Sequence, residues 1–335
     1  MIKFLIIRFS SIGDIVITTP IIRCLKQQIK NAEIHYVIKN QFVEVLTGNP
    51  YIDKIHVFKE DINELINTLK KENFTYIIDL HKNIRSFVIK ARLKVLSFSF
   101  NKINFKKWLM TSALKINKLP NVHIVDRYFD TVKLFNVKND EKGLDFFILP
   151  ENEISLNQLP EIFRNGYIAF VIGAKHATKQ LPINKLIELC KLLTFPIILL
   201  GGNEDFEDAN LIIQSVGSEK IFNACGKYNI QQSASFVDKA ELVITHDTGL
   251  MHIAAAFRKI IISIWGNTIP EFGMFPYKSG KSSVIFEIKG LKCRPCSKIG
   301  YNRCPKRHFK CMNQIDINAI VQTVAKIISN IIRKG

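Results

Sequence analysis

Short apolar, β-rich runs alternate with amphipathic helical patterns along the chain, in two consecutive series separated by an irregular polar join. That pattern predicts an α/β protein of two Rossmann-like domains, each a parallel sheet with crossover helices, facing across a cleft. Size agrees: 335 residues exceed what one hydrophobic core usually organises, and a hydrophobic content of 47% supplies two. The join contains Leu149-Pro150 and Leu159-Pro160, and it divides the chain into a first domain over 1–155 and a second over 156–335.

In the first series, strands are predicted at Ile2–Ile7, Glu33–Ile38, Lys54–Phe58, Tyr76–Leu80 and Val95–Phe100. The opening run is cut by Arg8 and ends in the small-residue turn Ser10-Ser11-Ile12-Gly13-Asp14. Ligands of open α/β sheets bind at the carboxyl ends of the strands, so this turn is a favoured place for working residues. It lacks G-x-G-x-x-G and is not a dinucleotide fingerprint. Asp14 has two readings: a general base kept ionised by the positive end of a helix, or a helix cap. The following Thr18-Thr19-Pro20 reads either as a new helix start with proline at its first position or as a kink, and both leave Asp14 in the turn.

The second series has strands at Tyr167–Ile172, Pro196–Leu200, Lys220–Ala224, Leu242–Thr245, Ile260–Trp265 and Ser283–Ile288. After the fourth, His246-Asp247-Thr248-Gly249 leads into a helix rich in alanine, placing a carboxylate, a hydroxyl and backbone N–H groups at a helix N-terminus. Such an end suits a phosphate or sugar hydroxyls, and Asp247 as a plain cap is the competing reading. After the first, Gly173 to Pro182 carries Lys179, either a solvated loop lysine or a cation for a leaving diphosphate. After the second, Gly201-Gly202-Asn203-Glu204 offers a carboxylate that accepts from ribose hydroxyls or simply favours the helix dipole. The last apolar-periodic run, Ile315–Ile332, is a helix expected to pack across both domains.

A formal charge of +18 and a pI near 9.5 imply an anionic partner: nucleic acid, acidic lipid or a phosphorylated small molecule. Lys82, Arg85, Lys90, Arg92, Lys94, Lys102, Lys106, Lys107, Lys115 and Lys118 follow one another with no acid among them, interleaved with Phe98, Phe100, Phe105, Trp108, Leu109 and Met110. This is either a surface for an anionic membrane or helices whose apolar stripe faces the core. No apolar run reaches the ~20 residues of a membrane span, and no cleavage site follows the opening stretch. The expected location is cytoplasmic, peripheral at most on the inner face of the membrane. Seven cysteines do not read as a disulfide scaffold. Cys293, Cys296, Cys304 and Cys311 are spaced C-x2-C-x7-C-x6-C, which fits either a closed structural metal site or loop and core thiols. Lys292, Arg294, Lys298, Arg303, Lys306, Arg307 and Lys310 around them are a further basic group suited to a phosphorylated acceptor.

Taken together, Ser10 to Asp14 with Thr19-Pro20, Asp247 to His252 with the alanines after it, Asp79-Leu80-His81-Lys82-Asn83-Ile84-Arg85-Ser86, Asp126-Arg127-Tyr128, the Lys179–Pro182 loop and Trp265-Gly266 resemble glycosyltransferase family 9, the ADP-heptose:lipopolysaccharide heptosyltransferases. The resemblance implies a GT-B fold with acceptor bound mainly by the first domain and nucleotide-sugar by the second. It implies Asp14 as general base and Lys179 at the donor diphosphate. Thr178, Glu204, Asp247, Thr248 and Gly249 then also contact donor, and Ser11, Gly13, Arg85 and Arg127 contact acceptor. The implied reaction is inverting transfer of heptose from ADP-heptose to an anionic inner-core acceptor, Kdo or a first heptose, with no cofactor and no catalytic metal. Gln180-Leu181 depart from the Arg-Trp that many members carry, which leaves open a related transferase with another nucleotide-sugar. A nucleic-acid-binding protein would account for the charge but not for the two acidic turns, and no nucleic-acid-binding motif is present.

Overall fold

Strands buried on both faces read as continuous apolar runs, and every strand pair in this protein is parallel. The computed structural model describes residues 1–112, 114–217 and 219–333, which divide into two units. One comprises Met1–Ile103 with Asn121–Leu149, the other Asn104–Pro120 with Pro150–Gly335.

In the first unit β1 (Ile2–Ile7) is followed by α1 (Ile12–Val16), α2 (Thr19–Gln28), β2 (Ala32–Lys39), β3 (Lys54–Phe58), α3 (Ile62–Lys70), β4 (Tyr76–Asp79), α4 (Ile84–Leu93) and β5 (Ser97–Ser99). The chain then makes α5 (Asn104–Thr111), which belongs to the second unit, and returns with α6 (Ile124–Phe129). The sheet order is β3-β2-β1-β4-β5. Leu5, Ile7 and Phe9 pack with Leu65, Ile66, Leu69 of α3 and Ile89 of α4 into a buried cluster. Phe98 and Phe100 also pack inward, against Phe135 and Tyr128 respectively, so these two rings do not belong to an outer apolar surface.

The helix after β1 is interrupted. Thr18 caps a new helix with Pro20 at its second position, which resolves the Thr-Thr-Pro ambiguity as a restart. Asp14 sits inside α1, at the third helical position, one step later than the turn where the sequence places it. Ser11, not Asp14, is the N-cap.

The second unit runs through β6 (Ile168–Val171), α7 (Ile183–Leu192), β7 (Ile197–Leu200), α8 (Phe206–Val216), β8 (Ile221–Asn223), α9 (Ile230–Lys239), β9 (Leu242–His246), α10 (Gly249–Ala256), β10 (Ile261–Trp265), β11 (Val284–Glu287), α11 (Lys310–Asn313) and α12 (Ile317–Ile332). Its sheet order, β8-β7-β6-β9-β10-β11, is the doubly wound order of nucleotide-binding folds. Alternate residues of the strands meet Leu186 and Leu189 of α7, Ala209 and Ile212 of α8, and Ile320 and Val324 of α12 in one core. α12 therefore closes the second core, starting from an Asp316 side chain that accepts from Ala319 N–H.

Of the histidines in these units, His56 and His246 are buried and His81 is half-buried. His56 lies against His35, with Nε2 2.8 Å from its Nδ1, near Glu72, Lys54 and Lys3. His81 lies against Phe9 beside Arg8, Lys102, Asp14 and Asp79. His246 accepts from Leu181 N–H at 3.0 Å. Burial is the leading cause that pushes each imidazole from 6.5 to about 4. Each is therefore neutral in the fold, whereas the unfolded chain takes up protons below about pH 6.5. Stability is fully present above that pH and is expected to fall as pH drops from 6.5 towards 4, by on the order of 1–3 kcal/mol per histidine. Calorimetric melting across that range, with His246→Gln flattening the loss, is the check.

Candidate functional site

In each sheet the chain leaves the central strand in opposite directions, so two strand-to-helix loops part and open a crevice at the carboxyl edge. In the first unit the parting strands are β1 and β4, and in the second they are β6 and β9.

Arg8 follows β1 directly and is 8% exposed. Its Nη2 meets Asp14 Oδ1 at 2.6 Å, Nε donates to Ser10 O at 2.8 Å, and Nη1 donates to Leu80 O at 2.6 Å and Tyr128 Oη at 3.3 Å. One guanidinium thus joins the ends of β1 and β4, α6 and the Asp14 carboxylate. Asp14 Oδ2 accepts from Ser11 Oγ at 2.7 Å and from Ser11 N–H at 3.2 Å. Ser11 and Gly13 are therefore the frame of Asp14: Ser11 holds it, and Gly13 is buried in the same turn. Arg8 is the residue that sequence reasoning passed over. Its signal was present, a charge placed directly after the buried run from Phe4 to Ile7.

The loop after β4 is organised by Asp79, whose buried carboxylate accepts from His81 N–H at 3.0 Å and Lys82 N–H at 2.6 Å and pairs with Lys90 at 2.8 Å. This turn sets up α4, where Asn83 and Ser86 cap each other reciprocally. Arg85, in the first turn of α4, lies over the Phe58 ring at 5.8 Å. It lines a cleft of about 400 Å³ with Lys39, Lys59, Gln41 and Glu60 at the ends of β2 and β3. Arg127 is buried on α6, where burial lowers its basicity.

In the second unit Lys179 Nζ meets Asp247 Oδ2 at 2.6 Å, which joins the loops after β6 and β9 at their switch point. Thr268 Oγ1 donates to the same Oδ2 at 2.9 Å. Asp247 precedes the N-cap and does not cap α10. Thr248 holds that position with no side-chain bond to the helix, its hydroxyl lying 3.3 Å from Thr245 Oγ1. The leading N–H groups of α10, from Gly249 on, have no acceptor within the helix. Thr178 is buried, and its hydroxyl donates within reach of Asn267 Oδ1 at 3.1 Å and Tyr301 O at 3.0 Å while accepting from Tyr301 N–H at 2.8 Å. The hydroxyl is committed internally and holds the loop that presents Lys179.

Glu204 is exposed after β7, its carboxylate lying over Gly202, where a Cβ would fall 2.4 Å from Oε2. The neighbouring Asp205 is the buried one. It accepts from Gly202 N–H at 2.8 Å and stands so close to Gly173 that a Cβ there would lie 1.9 Å from Oδ2. Burial raises its carboxyl above the ordinary range. Gln180 donates to Ala174 O at 3.0 Å, turned back on its own loop. Arg294, expected among the acceptor-facing cations, is instead 9% exposed. It pairs with Glu287 at 2.7 Å and donates to Gly266 O and to Thr268 O, the latter at 2.7 Å.

Among the described residues, His35, His56 and Glu72 bring three ligand-type atoms within 4.8 Å of one another. Lys3 and Lys54 pair with Glu72 at 3.4 and 2.5 Å and already supply positive charge there. Cys293, Cys296 and Cys304 are half-buried and Cys311 lies in the core. Burial first, then the neighbouring thiols, pushes Cys296 up to about 11 and Cys311 to about 12, which keeps both protonated.

The family model described as glycosyltransferase family 9 (heptosyltransferase) matches residues 62–302. The chain belongs to glycosyltransferase family 9. This family 9 enzyme is 27% identical over 288 residues to lipopolysaccharide heptosyltransferase 1 of Campylobacter coli, covering 79% of this chain and 84% of that protein. It is 22% identical to lipooligosaccharide heptosyltransferase 2 of Campylobacter jejuni, covering 95% of this chain and 96% of its relative. Its fold is GT-B. The solved structure of Escherichia coli ADP-heptose lps heptosyltransferase II superimposes with a TM-score of 0.74 at 17% identity, over 98% of this chain and 99% of that one. A family 9 glycosyltransferase from Veillonella parvula gives 0.76 at 18% identity, over 98% and 97%. Among the described residues of the enzyme no helix is long and apolar enough to cross a membrane.

The Lys179 loop rests on backbone that leaves no room for change. A Cβ on Gly266 would lie 2.5 Å from Thr178 O and 2.7 Å from Met312 Cε. Gly266→Ala is expected to destabilise the second unit by about 2 kcal/mol through overpacking as the loop shifts. Urea unfolding of the variant against the parent measures the loss.

Proposed function

We propose that this family 9 glycosyltransferase moves heptose from ADP-heptose onto the inner core of lipopolysaccharide, to Kdo or a first heptose, with inversion and with Asp14 as general base. The observation that carries this reading is the carboxylate of Asp14 held by Arg8 and Ser11 at the carboxyl edge of β1. The ion pair with a buried guanidinium and the hydrogen bond from Ser11 fix where that carboxylate stands, as a base that must reach an acceptor hydroxyl requires. The names of the Campylobacter relatives supply the sugar and the acceptor class.

Asp14 takes the proton of the acceptor hydroxyl as that oxygen bonds to the anomeric carbon. The bond from that carbon to the diphosphate oxygen breaks on the opposite face, its electron pair leaves with ADP, and the configuration inverts. Charge growing on the diphosphate is met by Lys179 and by the N–H groups at the start of α10 beside Thr248 and Gly249. Asp247 aims Lys179 from across the switch point, with Thr178 holding the loop beneath it. Glu204 is the exposed acid for the ribose, and Arg85 and Arg127 belong to the acceptor side. With these groups in place the reaction is expected to proceed without a divalent ion, on a donor approached from the cytoplasm.

A second reading keeps the mechanism and changes the donor, because Gln180 and the buried Leu181 replace the Arg-Trp of many members. Acceptor-dependent ADP release from ADP-heptose and a Kdo-containing lipid A, in EDTA, distinguishes them. Release supports the heptose reading, and tight ADP binding without release supports another sugar or acceptor.

Asp14→Ala is expected to lower turnover by about 10²–10⁴-fold while leaving ADP affinity unchanged. Loss of ADP binding in that variant would make Asp14 structural instead.

A further inference from the structure

Among the described α-helices, α5 alone buries no residue. A helix of 8 residues is too short to be stable by itself and ordinarily owes its existence to an apolar face packed on something. Here Phe105 is 69% exposed and Trp108 52%. The two stand one helical turn apart with rings stacked at 5.9 Å, and Leu114 and Ile116, in the segment that follows the helix, are exposed as well. The element is nevertheless tied to its own unit. Lys107 lies over the Phe272 ring at 5.6 Å, Lys115 donates to Pro295 O at 2.7 Å, and Lys298 donates to Asn104 O at 3.3 Å. Lys106, between the two aromatics in sequence, and Lys118 further along are both exposed, and the sequence carries no Asp or Glu from Leu80 to Val125.

We propose that α5 and the segment after it, through Lys118, dock this enzyme on the surface of an anionic lipid bilayer, with Phe105 and Trp108 entering the headgroup boundary and Lys106 and Lys118 facing lipid phosphates. An exposed aromatic pair flanked by lysines matches that boundary, where rings find apolar tails and ammonium groups find anions. Charge selects this occupant over a second copy of the chain, since two acid-free basic faces on proteins of charge +18 repel. The assignment rests on the proposed function only in that a lipid-linked acceptor lies on such a surface.

The chain reports on itself, because it has two tryptophans and the other, Trp265, is 1% exposed with its Nε1 donating to Ser263 Oγ. With vesicles of equal parts phosphatidylglycerol and phosphatidylcholine, Trp108 emission is expected to shift to the blue and the protein to sediment with the lipid. Trp108→Phe abolishes the shift while sedimentation persists. The double variant Phe105→Ser, Trp108→Ser is expected to lose roughly tenfold or more in vesicle affinity, with ADP affinity and melting temperature retained. Unchanged emission, wild-type sedimentation of the double variant, or equal binding to pure phosphatidylcholine overturns the assignment. So does a dimer in solution that the double variant disperses. None of these readings uses heptose transfer, so failure of the proposed reaction leaves the vesicle result standing on its own.

Discussion

Each half of this protein depends on one topological constraint: a central parallel strand from which the chain departs first to one side of the sheet and later to the other. Crossover helices cannot cover the point where the two directions diverge, so the loops at the carboxyl ends of β1 and β4, and of β6 and β9, are left open at that edge. Asp14, Arg85, Lys179 and Asp247 follow those four strands, Glu204 follows β7 beside them, and Arg127 stands apart on α6.

Open loops need internal cross-links if they are to hold a charge in one place, and both units use an opposite charge to do so. Arg8 ties Asp14 to the ends of two strands, and Asp247 ties Lys179 across the other switch point. Pairs of this kind are poor sources of net stability, because desolvation consumes most of the Coulombic gain. Their consequence is positional: removing either partner leaves a half-buried charge uncompensated, so each group is locked to its counterpart. Around them lies a layer of side chains whose hydrogen bonds hold the loops themselves, including Thr178, Arg294 and Asp205.

Much of the fold was legible in the sequence because strands buried on both faces must be apolar throughout. The strand positions read from the runs in both series correspond to β1 through β11, with ends differing by a residue or two. The site was legible only as residue types in suitable turns. Asp14, Lys179 and Asp247 stand out as charges after apolar runs, yet their partners lie at quite different separations: Arg8 is 6 residues from Asp14 and also donates to Leu80 O and Tyr128 Oη, while Lys179 and Asp247 are 68 residues apart. No local pattern distinguishes a threonine that would touch a ligand from one, such as Thr178, whose hydroxyl is consumed by a distant loop. The same holds for Arg294, which is indistinguishable in sequence from its exposed basic neighbours, and for Phe98 and Phe100, which turn inward while Phe105 and Trp108 remain outside.

By itself the sequence determined the alternation of elements, the parallel sheets and the family, since those follow from hydrophobic periodicity and short motifs that act over a few residues. Only the tertiary structure decided that Asp14 belongs to a helix rather than its preceding turn, that Arg8 clamps it, that Asp247 faces Lys179 rather than capping α10, and that α5 stands with the second unit with its aromatic residues uncovered. The reason is physical: burial and pairing are properties of neighbours in space, and strand order, which no single segment carries, chooses the neighbours.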